Sequence, residues 1–382
     1  MREQATVVVV GGGVIGASVA YHLAVRGMTD VVVVERSGLG SGSTGRAAGG
    51  IRQQFSTETN CRLSMLSVAK LLSFQADTGW DPRFVQVGYL FLLTREEDWT
   101  EFQGNAAMQN DLGIDVELLS PHAAQALVPP LAVEDVLGAT FCPTDGHADP
   151  TQVCLGYASR ARAKGVEIVP GTTVTGIVVE DQHVVAVETS NGRVETRFVV
   201  NTAGPWANQI AALAGIEVPI APYRRQLYYM ERIPTIPETA PMVVDFASSM
   251  YFRPEGPGLL LGMTDRKEPS SYTIQTDDAF LEMLIDQAVR RVPTLAETRV
   301  VRGWAGLYDV TPDANPILGP VPGVEGFLMA AGFSGHGFMH APATGQLVAE
   351  MILDGAARTI DVSGYGLERF ANQAIAPERN VI

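Results

Sequence analysis

The chain has 382 residues, of which 46% are hydrophobic, with 39 Gly, 23 Pro and a formal net charge of −15. That length suits roughly two or three domain-sized units with a sizeable buried core, and the turn-rich composition suits a compact globular protein. The acid excess excludes a sequence-general nucleic-acid binder, which needs the opposite sign, so an anionic ligand has to be held locally by helix N-termini or single arginines.

In chain order, Val7–Val10 is four valines, the pattern of a strand buried on both faces. Ile15–Val25 has helical spacing, and Val31–Val34 is a second buried strand. The stretch 38–50 is loose and glycine-rich, and Asn60–Gln75 is again helical. Residues 87–94, "VGYLFLLT", predict a strand, followed by the charged helix "REEDWTEF". Residues 165–204 alternate short valine-rich strands with turns at Asp181-Gln182 and Asn191-Gly192; the second is a hairpin signal of type I′. "RFVVNTAG" is a strand reaching a glycine turn. Strands are expected in "RQLYYMER", "SMYFRPE" and "GLLLGMT", then an amphipathic helix over Asp277–Arg291. From Gly326 the pattern is strand, glycine turn, long helix. There is no internal repeat. The first residues do not make a signal peptide, and no run of about 20 apolar residues offers a membrane span. Cys61, Cys142 and Cys154 are too widely spaced for a disulfide framework or a CxxC metal pair, so a reducing, cytoplasmic setting without a metal is the expectation.

Gly11, Gly13 and Gly16 form G-x-G-x-x-G directly after a strand and at a helix start. The first glycine allows the tight turn, the second lets a pyrophosphate approach the backbone, and the third lets helix and strand pack closely. The helix N-terminus, at Val14 and Ile15, presents unpaired N–H groups to phosphate. Glu35, at the end of the second strand and beside Arg36, stands where a carboxylate accepts hydrogen bonds from a ribose. Strand, motif, helix, strand and acid in register point to a dinucleotide, NAD or FAD. A second glycine turn before a helix, Ala330 to Met339, favours FAD.

These motifs, with "GSGSTGRAAGGIRQ", "NTAGPWA", "GLYDVTPDANPILGP" and "GFSGHGFMHAPATGQLVAE", make nearly the whole chain resemble the flavin-dependent amino-acid oxidoreductases: glycine oxidase, D-amino-acid oxidase and, most of all, the sarcosine oxidase branch with the catalytic beta subunits of sarcosine oxidase and L-proline dehydrogenase. The resemblance implies an α/β protein, α+β overall, in which a doubly wound Rossmann-like FAD domain (1–85, 146–218 and 301–382) is interleaved with an antiparallel-sheet substrate domain (86–145 and 219–300). It maps Ser43, Thr44, Arg46, Ala47, Ala48, Gly49, Gly50 and Ile51 onto the loop that wraps the pyrophosphate and passes the isoalloxazine. Val174 falls where adenine is fixed by backbone bonds, and Ala203, Gly204 and Trp206 fall in the cofactor motif after the middle strand. Gly332, Phe333, Ser334, Gly335, His336, Gly337, Phe338 and Met339 form a helix start at the pyrimidine end of the flavin, where N–H groups favour negative charge on the reduced ring. His336 is either a donor there or a structural hydrogen-bonder.

On the substrate side the resemblance places Arg52 on a carboxylate-binding arginine, suited to it by the bidentate fork. It places Tyr251 on a pocket tyrosine that shapes the pocket or bonds the carboxylate; an ordinary strand aromatic is the alternative. Three departures stand out. Gly306 replaces the cysteine that attaches flavin ahead of Thr311-Pro312-Asp313, so FAD is expected to be non-covalent. Met339 replaces a lysine that assists the carboxylate. Leu260 replaces the lysine that activates O2. The expected reaction is oxidation of the C–N bond of a small secondary or N-methyl amino acid such as sarcosine or proline, with O2 as acceptor. The alternatives are a dehydrogenase subunit passing electrons to a partner subunit and, behind it, a non-catalytic FAD-binding assembly factor.

Overall fold

A computed structural model describes residues 1–372 and 376–382. The valine runs Val7–Val10 and Val31–Val34 are fully paired, parallel neighbours in the middle of a six-stranded sheet. Its order is Ile317–Pro320, Phe327–Ala331, Phe198–Asn201, Val7–Val10, Val31–Val34, Glu167–Val169. Only the first of these edge strands is antiparallel to its neighbour. Alternate valines serve opposite faces, as a period of two requires. Val7, Val9, Val31 and Val33 pack on the face covered by the helices Val14–Val25, Glu58–Thr78, Pro150–Ala163 and Gly337–Asp354. Val8, Val10, Val32 and Val34 pack on the opposite face, which a three-stranded antiparallel meander covers through Val174, Ile177, Val184, Val187 and Val194. The fold is thus the mixed α/β architecture expected, with parallel and antiparallel sheets.

The meander corrects one expectation. Among the described residues both Asp181 and Gln182 take positive φ, +47° and +64°, the requirement of a type I′ turn, whereas Asn191 does not. In that second hairpin Thr189 pairs with Gly192, so the loop is Ser190-Asn191 and only Gly192, at φ +116°, is left-handed. The Asn-Gly signal marks a hairpin, but its glycine closes the ladder one place later than a type I′ turn needs.

The second large sheet has eight strands in the order Val300–Val310, Ala221–Glu231, Gly258–Met263, Met250–Glu255, Met242–Asp245, Tyr89–Leu93, Gly138–Cys142, Glu117–Leu119. The expected segment boundary at 301 falls inside its first strand, which makes ten residue pairs with Ala221–Glu231. One face of this sheet carries Leu90, Leu92, Tyr228, Phe252 and Leu261, packed on Phe280, Leu284 and Ala288 of the helix Asp278–Arg291. The other carries Tyr89, Phe91, Leu227, Met242, Tyr251 and Leu260. That second face looks onto the cavity described below.

The helix Asp278–Arg291 starts at a well-made cap. Asp277 accepts a hydrogen bond from the Phe280 N–H at 2.7 Å and pairs with Arg224 at 2.6 Å. Asp277→Ala is expected to lower stability by about 1 kcal/mol, the usual worth of an N-cap, and Asp277→Asn by much less. A urea melt in which alanine and asparagine are indistinguishable would show that the cap carries nothing.

Candidate FAD and substrate site

The glycine turn after Val10 is locked by close approach. Gly11 sits at φ +111°, and a Cβ there would lie 2.7 Å from the Thr202 carbonyl oxygen. At Gly13 a Cβ would meet only Thr44 Oγ1, at 3.3 Å, so this backbone is open on its outer side. The helix that follows has no side-chain cap and no acid in its first turn. Thr44 Oγ1 accepts from the Val14 N–H at 3.1 Å, which leaves the other N-terminal donors free for an anion. Glu35 is held in place by the N–H groups of Gly12 (2.7 Å) and Ser37 (2.8 Å).

The second turn, 332–336, enters the helix Gly337–Asp354, which likewise has no side-chain cap and no acid in its first turn. Asp309 organises it: its carboxylate accepts from the Gly332 N–H at 2.7 Å, and its carbonyl accepts from the Ser334 N–H at 3.0 Å. Burial pushes the Asp309 carboxyl up to about 6. A Cβ on Gly335 would overlap the Tyr308 ring at 2.3 Å, so the turn rests directly on that ring.

Both helix starts open on one cavity of about 690 Å³. The loop between them is pinned to the eight-stranded sheet. Ser43 Oγ donates to the Leu307 carbonyl (2.7 Å), Trp304 Nε1 donates to the Arg46 carbonyl (3.1 Å), and Arg253 Nε donates to the Ala48 carbonyl (2.9 Å). Of the residues assigned from sequence to the cofactor or the substrate, all but Gly16, Ile51 and Gly332 line the cavity, from Gly11 and Glu35 at one end to Arg52, Tyr251 and His336 at the other. At the outer end the Arg36 guanidinium lies 3.8 Å from the centre of the Trp206 ring. Two uncapped helix starts, an open glycine turn and an anchored acid fit a dinucleotide with a flavin at its far end.

His336 is buried, with neither ring nitrogen hydrogen-bonded among the described residues, and its ring lies against Phe55 and His340. Burial, then the neighbouring His340 and Arg52, hold it well below the usual histidine range, so it is neutral. Met339 and Tyr251 are buried on the cavity wall. Arg52 is also buried there, and two of its five N–H groups are taken: Nη1 donates to the Gln54 carbonyl and Nη2 to the Asn380 carbonyl, while the guanidinium lies 3.9 Å from the centre of the Phe55 ring. Leu260 lies in the apolar cluster with Leu227, Met242 and Tyr251. Gly306 faces Arg46, whose Cβ would be 3.0 Å from a Cβ there. The three cysteines are free and buried. Asp313 is structural: it pairs with Arg369 at 2.8 Å.

Several lining residues escaped the sequence reading: Tyr89, Arg225, Tyr308 and, from the last strand-free segment, Val381 and Ile382. Only Arg225 and Tyr308 left a trace. Arg225 shares parity with Leu227 in "RRQLYY", and in the ladder it lies opposite Gly306. Among the described residues no helix is long and apolar enough to cross a membrane, and no group of three or more His, Cys, Asp or Glu could hold a metal.

Comparison with known proteins agrees with this geometry. The family described as FAD dependent oxidoreductase matches residues 6–351. Human sarcosine dehydrogenase, a mitochondrial protein, is 31% identical over 97% of this chain, and the match covers 42% of that protein. The FAD-dependent oxidoreductase domain-containing protein 1 of Xenopus laevis is 34% identical over the whole chain and 85% of its own length. The crystal structure of L-proline dehydrogenase from P. horikoshii superimposes with a TM-score of 0.92 at 36% identity, covering 98% of this chain and 99% of that one. The chain therefore belongs to the FAD-dependent oxidoreductase family, and FAD is its cofactor.

Proposed function

Starting from that membership, we propose that the chain oxidises the C–N bond of a small secondary or N-methyl amino acid, of the sarcosine or proline kind. Bound FAD would supply the two-electron acceptor for the hydride on the carbon attached to nitrogen, and the neutral amine would become an iminium that water hydrolyses to a carbonyl compound and an amine. The observation that carries this reading is one cavity that runs between two uncapped helix starts and reaches buried cations and phenols on a largely apolar sheet. In this reading the N–H groups of Gly13 and Ile15 take the pyrophosphate and Glu35 the ribose hydroxyls. The N–H groups of Phe338 and Met339 stabilise charge at the pyrimidine end. The ring is held by contacts of this kind without a covalent bond, since Gly306 offers no thiol.

Neutral His336 keeps a second positive charge away from the amine, which has to be unprotonated to release hydride. No side chain is needed as a base. The P. horikoshii likeness, a proline dehydrogenase, and the name of the human relative support amino acids with a substituted nitrogen.

Two acceptors fit the flavin chemistry, O2 and a partner protein. Leu260, in its apolar cluster, favours the partner, because no cation from that position assists the one-electron reduction of O2. The test is anaerobic titration of the purified holoprotein with sarcosine, proline, glycine and D-alanine, followed by mixing with air. Bleaching by the first two and slow reoxidation are expected. Flavin left oxidised by all four ends the reading, and fast H2O2 formation returns the acceptor to O2.

A further inference from the structure

The carboxylate of an amino-acid substrate needs donors that the protein has left unused. Arg52 has fewer of them, since carbonyl oxygens of Gln54 and Asn380 each take one Nη hydrogen and Phe55 lies against its face. Arg225 has more. Among the described residues its buried Nε has no hydrogen-bond partner, and its one bond is from Nη1 to the Arg224 carbonyl at 2.8 Å. It enters no ion pair among the described residues, although its neighbour Arg224 pairs with both Glu268 and Asp277. A half-buried guanidinium without a counter-ion is costly unless a ligand brings the charge.

Its surroundings are donors rather than acceptors. The Tyr308 ring centre lies 5.0 Å from the guanidinium carbon. Ladder register explains why. Tyr223, Arg225 and Leu227 alternate onto one face of their strand, opposite Tyr308, Gly306 and Trp304 of the next, and Leu227 is in row with Gly262 and Tyr251. A Cβ on Gly262 would overlap the Tyr251 ring at 2.5 Å, so the glycine lets that phenol lie across the sheet into the cavity. The hydroxyls of Tyr251 and Tyr308 influence each other's ionisation, and among the described residues no other protein group hydrogen-bonds them. Burial raises both phenols, which therefore stay protonated and able to donate. The nearest carboxylate on the wall, Asp309, is turned to the glycine backbone it organises. Guanidinium and phenol donors converging on an apolar wall with no acceptor make the complement of a carboxylate.

We propose that Arg225, with Tyr251 and Tyr308, is the group that binds the substrate carboxylate, and that Arg52 is a positioning residue that ties the 378–382 segment to the cavity wall. Glu378 supports the second half of this assignment. Its buried carboxylate accepts from the Ser56 N–H and hydroxyl, Thr57 Oγ1, Asn60 Nδ2 and the Asn380 N–H, which fixes the carbonyl that Arg52 grips. The proposal rests on the amino-acid reading above.

The test compares holoproteins of the parent, Arg225→Met, Arg225→Lys and Arg52→Met, each first shown to carry flavin. Proline and its methyl ester are used as paired reductants, and acetate as a ligand followed by its perturbation of the flavin spectrum. In Arg225→Met the preference for acid over ester in kcat/KM is expected to fall on the order of 100-fold, the effect of one charge-assisted pair, with partial recovery in Arg225→Lys. Arg52→Met is expected to keep the preference. An unchanged preference in Arg225→Met, or an equal loss in Arg52→Met, overturns the assignment. If neither acid nor ester reduces the parent's flavin, the substrate reading has failed and acetate alone decides. Acetate binding lost in Arg225→Met and kept in Arg52→Met upholds the anion site; no acetate binding by the parent, or binding lost equally in both variants, removes it.

Discussion

Gly16→Ala is expected to give a protein that retains no flavin and unfolds well below the parent. The added Cβ would sit 2.0 Å from the Gly11 carbonyl oxygen and 2.7 Å from Thr202 Oγ1. Neither neighbour can yield. The Gly11 carbonyl belongs to the turn itself, and Thr202 Oγ1 is tied to the Val10 and Gly11 carbonyls at 2.9 and 3.0 Å. Overpacking a core costs about 1–3 kcal/mol when side chains can shift, and a clash with backbone lies at or beyond the upper end. Gly13→Ala separates the two roles of the motif. Its Cβ meets only a hydroxyl at 3.3 Å, so the fold is expected to survive while the flavin, whose phosphates would lie there, is weakened. Flavin absorbance per chain and a thermal melt on both variants decide the matter. Normal flavin content and melting in Gly16→Ala would mean that helix and strand are not packed as described.

Acid is expected to destabilise the protein steeply, by about 4–5 kcal/mol between pH 7 and pH 5. Burial pushes His22 and His340 down to about 3, and His336 well below the normal range. In the unfolded chain each titrates near 6.5. Their stabilisation is therefore complete above that value and is lost as pH falls through the window from 6.5 towards 3. At pH 5 each accounts for about 2 kcal/mol, because 1.5 pH units separate that pH from the unfolded value. Asp145 opposes them. Burial raises it to about 6, so the folded state takes its proton first and gains about 1.4 kcal/mol between pH 6 and 5. His147 and Asp309, both partly exposed, act in opposite senses and roughly offset. Denaturant melts at the two pH values measure the difference, and equal or greater stability at pH 5 would show that the buried imidazoles are solvated.

What could be read from residue order alone was whatever depends on neighbours in the chain. The four-valine strands announce burial on both faces, and the glycine turn, the helix and Glu35 follow within about thirty residues, so one half of the cavity was visible. The helix Pro150–Ala163 was missed although its signal is present: Asp149 accepts from the Thr151 and Gln152 N–H groups, and Pro150 opens the first turn. Arg225 could not be ranked above the other arginines, because its importance comes from register. Two strands some eighty residues apart bring it beside Tyr308, while Arg224, adjacent in sequence, points to the other face and its acids. The hold of Asn380 on Arg52 depends on a contact across 328 positions and has no local signature at all.

The cavity draws its walls from residues 10–52, from the middle of the chain and from residues 306–339. During synthesis the first glycine turn and Glu35 would emerge from the ribosome some three hundred residues before the second helix start, at Gly337. A nascent chain shorter than that lacks the wall built by residues 306–339 and so carries no receptacle for the whole coenzyme.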